Sequence, residues 1–297
     1  MPHFRLTQQI SSARLQLHHR RTPIINGLSS NPITGEIFLA DSRHKLIIVL
    51  PSARIIYRSK KIPYSVCYMS QKQTLLVCYY KDIKYKANAP PKFSLVALRQ
   101  VKEKWVKQSR LPLNIYGIYK NDYLQSTICE LADSELLFGV ALTTQLYHLQ
   151  VDPSNQLIMT AQVPVHQYYE MAATSKGGTR VALVHSTGWL ALYSLRGDRL
   201  NFLSRVQLGE SYYSLTRMLW MGGRLLVAKK NRQTQDTYKY IGDSILEMDV
   251  TGGPFVGRTE LLPATAELNV VRWCAEGTNR VTICNSLPKL YVFEYEP

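Results

Sequence analysis

Two segments of the sequence concentrate side chains that could do chemistry. Lys81-Asp82-Ile83-Lys84-Tyr85-Lys86-Ala87-Asn88-Ala89-Pro90-Pro91-Lys92 holds four lysines against one acid. Lys229-Lys230-Asn231-Arg232-Gln233-Thr234-Gln235-Asp236-Thr237-Tyr238-Lys239-Tyr240-Ile241-Gly242-Asp243 holds four cations against two acids. A third, shorter basic run is Arg43-His44-Lys45, and tyrosines open several apolar runs, at Tyr64, Tyr168, Tyr169, Tyr212 and Tyr213. Cations pair with phosphates, and aromatic rings stack on unpaired bases at roughly 1–3 kcal/mol per base. The candidate binding set is therefore Arg43, His44, Lys45, Tyr64, Lys81, Lys84, Tyr85, Lys86, Lys92, Tyr168, Tyr212, Lys229, Lys230, Arg232 and Lys239. RNA is the favoured polymer, because sequence-reading RNA modules grip unstacked bases. An acidic or phosphorylated protein suits the same cations. The plainer alternative is that these loops are solvated excursions and the tyrosines are packing.

Catalytic patterns do not emerge. Gly-x-Ser-x-Gly, the phosphate-binding loop, Gly-x-Gly-x-x-Gly, His-Glu-x-x-His and Cys-x-x-Cys are absent from the sequence. His18-His19 is adjacent rather than spaced for a metal, and Asp41 reads as a turn residue. No nucleophile can be matched to a positioned base. The expectation is a protein without catalytic residues, metal or cofactor. The five cysteines, Cys67, Cys78, Cys129, Cys274 and Cys284, sit in apolar runs and read as buried free thiols.

The 297 residues carry 36 Lys+Arg against 21 Asp+Glu, a net charge of +15, and residues 1–150 hold 21 of the cations against 8 of the acids. Such a surface attracts polyanions. Hydrophobic residues at 45 % and charged residues at 19 % describe an ordinary globular chain. Apolar runs such as Leu46–Leu50 and Leu136–Leu142 fall far short of the roughly 20 residues of a membrane helix. With no export segment visible at Met1–Gln9, the expected setting is intracellular, cytoplasmic or nuclear, with no membrane contact.

The elements that must position these residues recur with a period. Short apolar runs repeat at Ile37–Ala40, Leu75–Cys78, Leu136–Gly139, Val181–Val184, Leu225–Ala228 and Val281–Cys284. An alternating run follows each of them, and five units end in a further strand, often at a proline. The short β-runs separated by Gly, Asn and Pro turns predict an all-β fold, and six four-stranded units predict a six-bladed β-propeller. The blades are expected at about 23–63, 64–112, 113–165, 166–208, 209–263 and 264–297, a single domain over 1–297. The sixth unit lacks a fourth strand, and Ile10–Leu17 is the expected donor, which would cover an otherwise sticky edge. In this geometry the loops joining second and third strands share a face with the crossings between blades. The long loops of blades 2 and 5 would then oppose each other across a central channel.

One stretch, Gly35-Glu36-Ile37-Phe38-Leu39-Ala40-Asp41-Ser42-Arg43-His44-Lys45-Leu46-Ile47-Ile48-Val49-Leu50, resembles an NHL repeat: an apolar strand ending in Ala-Asp-Ser, a polar turn, then an apolar strand. The match covers about 16 residues, and the later units keep the rhythm without the Ala-Asp-Ser signature. The resemblance implies a six-bladed interaction module that binds RNA or protein. The expected function is a non-enzymatic module whose basic loop face binds RNA. The alternatives are a protein-interaction scaffold or subunit of a larger assembly, and a Ca²⁺-dependent lactonase-like hydrolase with Asn26, His166 and Asn269 near the channel.

Overall fold

The structure, a computed structural model, describes residues 2–10, 22–81, 92–115, 125–132, 134–175, 178–185, 188–208, 217–232, 240–250, 254–265, 268–285, 287 and 289–297. The described residues form six four-stranded antiparallel sheets and no helix. This is the six-bladed β-propeller that the strand period predicts.

Strand β1 (His3–Ile10) opens the chain and joins its far end. Then come β2 (Ile25–Ser30), β3 (Ile37–Asp41), β4 (Leu46–Leu50) and β5 (Arg54–Arg58), the first sheet. The second holds β6 (Ile62–Met69), β7 (Thr74–Lys81), β8 (Lys92–Val101) and β9 (Lys104–Asn114). The third holds β10 (Ser126–Glu130), β11 (Glu135–Val140), β12 (Gln145–Val151) and β13 (Leu157–Pro164). These three sheets make up a middle unit, Leu15–Gln167.

A terminal unit combines Met1–Arg14 with Tyr168–Pro297. Its first sheet is β14 (Tyr168–Thr174), β15 (Arg180–His185), β16 (Trp189–Arg196) and β17 (Arg199–Gln207). The next is β18 (Arg217–Met221), β19 (Arg224–Arg232), β20 (Tyr240–Asp249) and β21 (Gly257–Thr265). The last is β22 (Val270–Glu276), β23 (Arg280–Asn285) and β24 (Leu290–Glu296), with β1 as its fourth strand.

Burial explains why the strands read as they do. The middle strands β3 and β4 are buried at every residue, so they appear as apolar runs without alternation. The outer strands β5 and β17 keep no residue fully buried. Neighbouring first strands approach closely: a Cβ on Gly27 of β2 would lie 2.8 Å from the backbone nitrogen of Val66 in β6. Ser65 and Ser126 bridge β6 and β10 through their hydroxyls at 2.9 Å.

The closing strand differs from the sequence expectation. It is His3–Ile10 rather than Ile10–Leu17, and residues 11–21 lie outside the described residues. Phe4 is buried edge-on against Phe293 and Tyr295. Arg5 and His3 each lie 3.1 Å from the Glu296 carboxylate.

Four of the five free cysteines are buried and Cys129 is partly exposed. Burial pushes the Cys78 and Cys284 thiols up to about 12, which makes them poor nucleophiles. On the same ground burial lifts the carboxyl of Glu130, beside Cys67 and Cys129, from 4.5 to about 7. The folded chain thus holds this proton more tightly than the unfolded chain. Its contribution is full at low pH and is lost as pH rises through 7, by at most about 3 kcal/mol. Glu130→Gln is expected to melt higher than the parent at pH 8 and level with it at pH 5 in thermal scans.

Candidate functional site

Each sheet has two ends. The turns from first to second strand and from third to fourth share the turn end. The turns from second to third strand and the crossings to the next sheet share the loop end. The described acids divide unequally between these ends.

In the middle unit, the described acids Glu36, Glu103, Glu130, Glu135 and Asp152 all stand at the turn end. The one described acid at the loop end is Asp41, which is 1 % exposed. Around it stand Arg43, Lys45, Arg58, Lys60 and Lys92, all exposed, and Lys61, partly buried.

Asp41 organises this end. Its Oδ1 accepts the backbone N–H groups of Ile24 (3.2 Å), Arg43 (3.0 Å) and His44 (3.3 Å), and its Oδ2 lies 2.6 Å from His44 Nδ1. Arg43 Nη1 donates to the Thr22 carbonyl at 2.6 Å. Asp41 is thus the turn residue its sequence context predicts. His44 is tied into that turn and half-buried, whereas Lys45 points its charge outward. Lys45 takes the left-handed backbone (φ 59°), and its carbonyl accepts from Ser59 at 3.0 Å, which joins this turn to the Lys60-Lys61 crossing.

Beside the cations lies an aromatic row. Tyr64 sits at the irregularity between Pro63 and Ser65 near the start of β6. Its ring is 6.1 Å from Tyr80, and Tyr80 is 5.5 Å from Phe93. Lys61 reaches across to Ser94 Oγ at 3.2 Å. Sequence reasoning picked Tyr64 and missed Tyr80, Arg58, Lys60 and Lys61. Tyr80 lies inside a run that reads as core, and the three cations fall in and after an outer strand.

The terminal unit repeats the segregation. Its described acids Asp198, Glu247, Asp249, Glu260, Glu276, Glu294 and Glu296 stand toward the turn end. At the loop end the described acids are Glu170 and Asp243, 4 % and 1 % exposed.

Here two of the sequence candidates are corrected. Tyr168 is 2 % exposed, so its ring serves the core rather than a stacking surface. Lys230 is 8 % exposed, with its Nζ 2.5 Å from Asn269 Oδ1 and 3.5 Å from Asp243 Oδ1, so it is an internal ion-pair partner and not a rim cation. Burial, with Arg258 nearby, lowers the Lys229 ammonium below its ordinary value. The backbones of Lys81 and Arg232 end β7 and β19 at the loop ends. Lys84, Tyr85, Lys86, Tyr212 and Lys239 lie outside the described residues, as does most of each long loop.

No family model matches the chain, and no curated protein matches it. Solved structures do. It is similar to the PQQ-bound aldose sugar dehydrogenase of Streptomyces coelicolor, at 9 % identity and a TM-score of 0.64, over 100 % of this chain and 99 % of that one. It is similar to the β-propeller domain of Cps50 (Swd1) from Myceliophteria thermophila, at 11 % identity and a TM-score of 0.57, over 92 % and 83 %. A protein of unknown function from Bacteroides thetaiotaomicron matches at 8 % identity and a TM-score of 0.62, over 100 % and 76 %. At these identities the likeness shows the fold, and the chain is a six-bladed β-propeller.

Proposed function

We propose that this propeller is a non-enzymatic interaction module whose basic loop end, in the middle unit, binds single-stranded RNA. The observation that carries this reading is the sorting of charge. Arg43, Lys45, Arg58, Lys60 and Lys92 ring one end of two adjacent sheets, while the described acids of that unit, Asp41 apart, stand at the other. Cations stand at both ends of this unit, but at the turn end Arg54, Lys72, Arg99, Lys102 and Lys104 are balanced by the acids there, so the loop end is left with the net positive charge. The row from Tyr64 to Tyr80 supplies aromatic faces next to those cations. Together they match the two requirements of single-strand binding, backbone neutralisation and base stacking. The NHL-like stretch Gly35–Leu50 supplies the Asp41 turn at this same end and supports the interaction-module reading.

Lys45→Ala, Lys60→Ala and Lys92→Ala combined should weaken binding to an RNA oligonucleotide pool at least tenfold at low salt. Each lost phosphate contact should flatten the log–log salt slope by about 0.7, so the triple variant should lose about 2. Tyr80→Ala should weaken binding while leaving that slope alone. No binding of the parent protein to any RNA pool at low salt overturns the proposal. A stoichiometric protein partner that survives nuclease would point instead to an acidic protein ligand on the same cations.

A further inference from the structure

Strand register brings one position of each sheet into equivalence. Gly27, Ser65, Thr127, Glu170, Arg217 and Arg272 each sit near the loop end of a first strand, opposite Ala40, Cys78, Gly139, Val184, Ala228 and Cys284 of the second. In the middle unit the position is Gly, Ser and Thr. In the terminal unit it is Glu, Arg and Arg. Blade packing therefore does not require charge there, and three sheets of the same chain form without it. Burying ions is costly: a buried ion pair can often be replaced by apolar groups without loss of stability. The charges of the terminal unit thus call for a reason beyond the fold.

Their arrangement supplies one. Arg217 Nε donates to the Val271 carbonyl at 3.0 Å, and Arg272 Nη1 donates to the same oxygen at 2.8 Å. Two guanidinium groups therefore converge on one neutral acceptor. Glu170 lies 3.5 Å from Arg217 Nη1, and Lys230 with Asp243 completes the cluster. Burial holds the Arg217 guanidinium below its ordinary value, and the attraction of Glu170 and Asp243 does not restore it. Burial likewise lowers the Lys230 ammonium; Asp243 opposes that shift and the Arg217 charge adds to it. The Arg217 charge thus works against the Lys230 ammonium, though less strongly than Asp243 works for it.

We propose that Arg217 and Arg272 form a recessed oxyanion site at the loop end of the terminal unit, built to take a carboxylate or phosphate group that bridges the two guanidinium groups. Planar guanidinium forks suit either ion. The site is independent of the RNA-binding reading, which rests on the other unit.

The test is thermal unfolding of the full chain in chloride buffer at fixed ionic strength, with chloride exchanged for inorganic phosphate or for malonate. A saturable rise in melting temperature of about 2–4 °C is expected for the ion that fits, and the larger of the two responses names the ligand chemistry. Arg272→Gln should abolish the rise. Glu170→Gln, nearly isosteric, removes the competing carboxylate and should lower the half-saturating concentration several-fold. Lys45→Ala combined with Lys60→Ala should leave the response unchanged. The proposal fails if neither anion exceeds chloride, if Arg272→Gln responds like the parent, or if the lysine variant loses the response.

Discussion

Asp243→Ala is expected to destabilise the protein by about 3–5 kcal/mol, the range for stripping one partner from a buried charge pair. The carboxylate does three jobs. One oxygen lies 3.5 Å from Lys230 Nζ, the other accepts the Val270 backbone N–H at 2.5 Å, and the pair sits beside the Arg217 guanidinium. Removing it leaves Lys230 buried with Asn269 Oδ1 as its partner at 2.5 Å and strands the first N–H of β22. The second change should dissect the first. Lys230→Met on top of Asp243→Ala should recover part of the loss, because the desolvated ammonium drives most of it. Urea unfolding of the two single variants and the double variant checks both statements. Additive losses would mean that the Val270 hydrogen bond, not the ion pair, carries the effect.

Asp243 also shows what a sequence conceals. Glu170, Arg217, Asp243 and Arg272 are spread over more than a hundred residues, and no local spacing links them. Only the register of four different strands brings them to one end, and a single residue of slip would point each to the opposite side. The basic end of the middle unit was more legible, because Arg43, Lys45 and Lys92 lie in or beside turns whose composition already announces a solvent-facing bend.

The strands themselves were legible where both sides are covered. Leu46–Leu50 is apolar throughout because every residue is buried. The closing strand was misplaced for the opposite reason. In His3–Ile10 only Phe4 and Ile10 are buried, so its apolar signal is faint and the later run Ile10–Leu17 looks just as good. The informative signal is charge: His3 and Arg5 alternate as Glu294 and Glu296 do on β24, and the pairing sets them against each other. Such exposed pairs contribute little energy, yet opposite charges across a ladder favour one register over its neighbours.

Gly242→Ala should cost about 3–5 kcal/mol, and Gly35→Ala about 1 kcal/mol, although both glycines have positive φ. At Gly35 (φ +70°) an added Cβ meets nothing within 4 Å, so backbone strain is the whole cost. At Gly242 (φ +121°) the Cβ would stand 1.8 Å from the Thr265 carbonyl oxygen and 2.4 Å from its carbon. That carbonyl cannot simply swing aside. It accepts the Leu268 N–H at 3.0 Å, and the Leu268 carbonyl in turn accepts the Asp243 N–H at 2.7 Å. The glycine thus lets β20 pass under the chain as it crosses from β21 to β22, and the same crossing delivers Val270 to the Asp243 carboxylate. Pushing the strands apart therefore breaks the knot that holds Asp243 in place, so the loss should approach that of Asp243→Ala. The two should also be non-additive when combined, since either one alone opens the crossing. Melting temperatures of the two glycine variants decide it. Equal small shifts would mean that β20 and β21 can separate at this point without cost, and that the close approach is not a constraint on the blade.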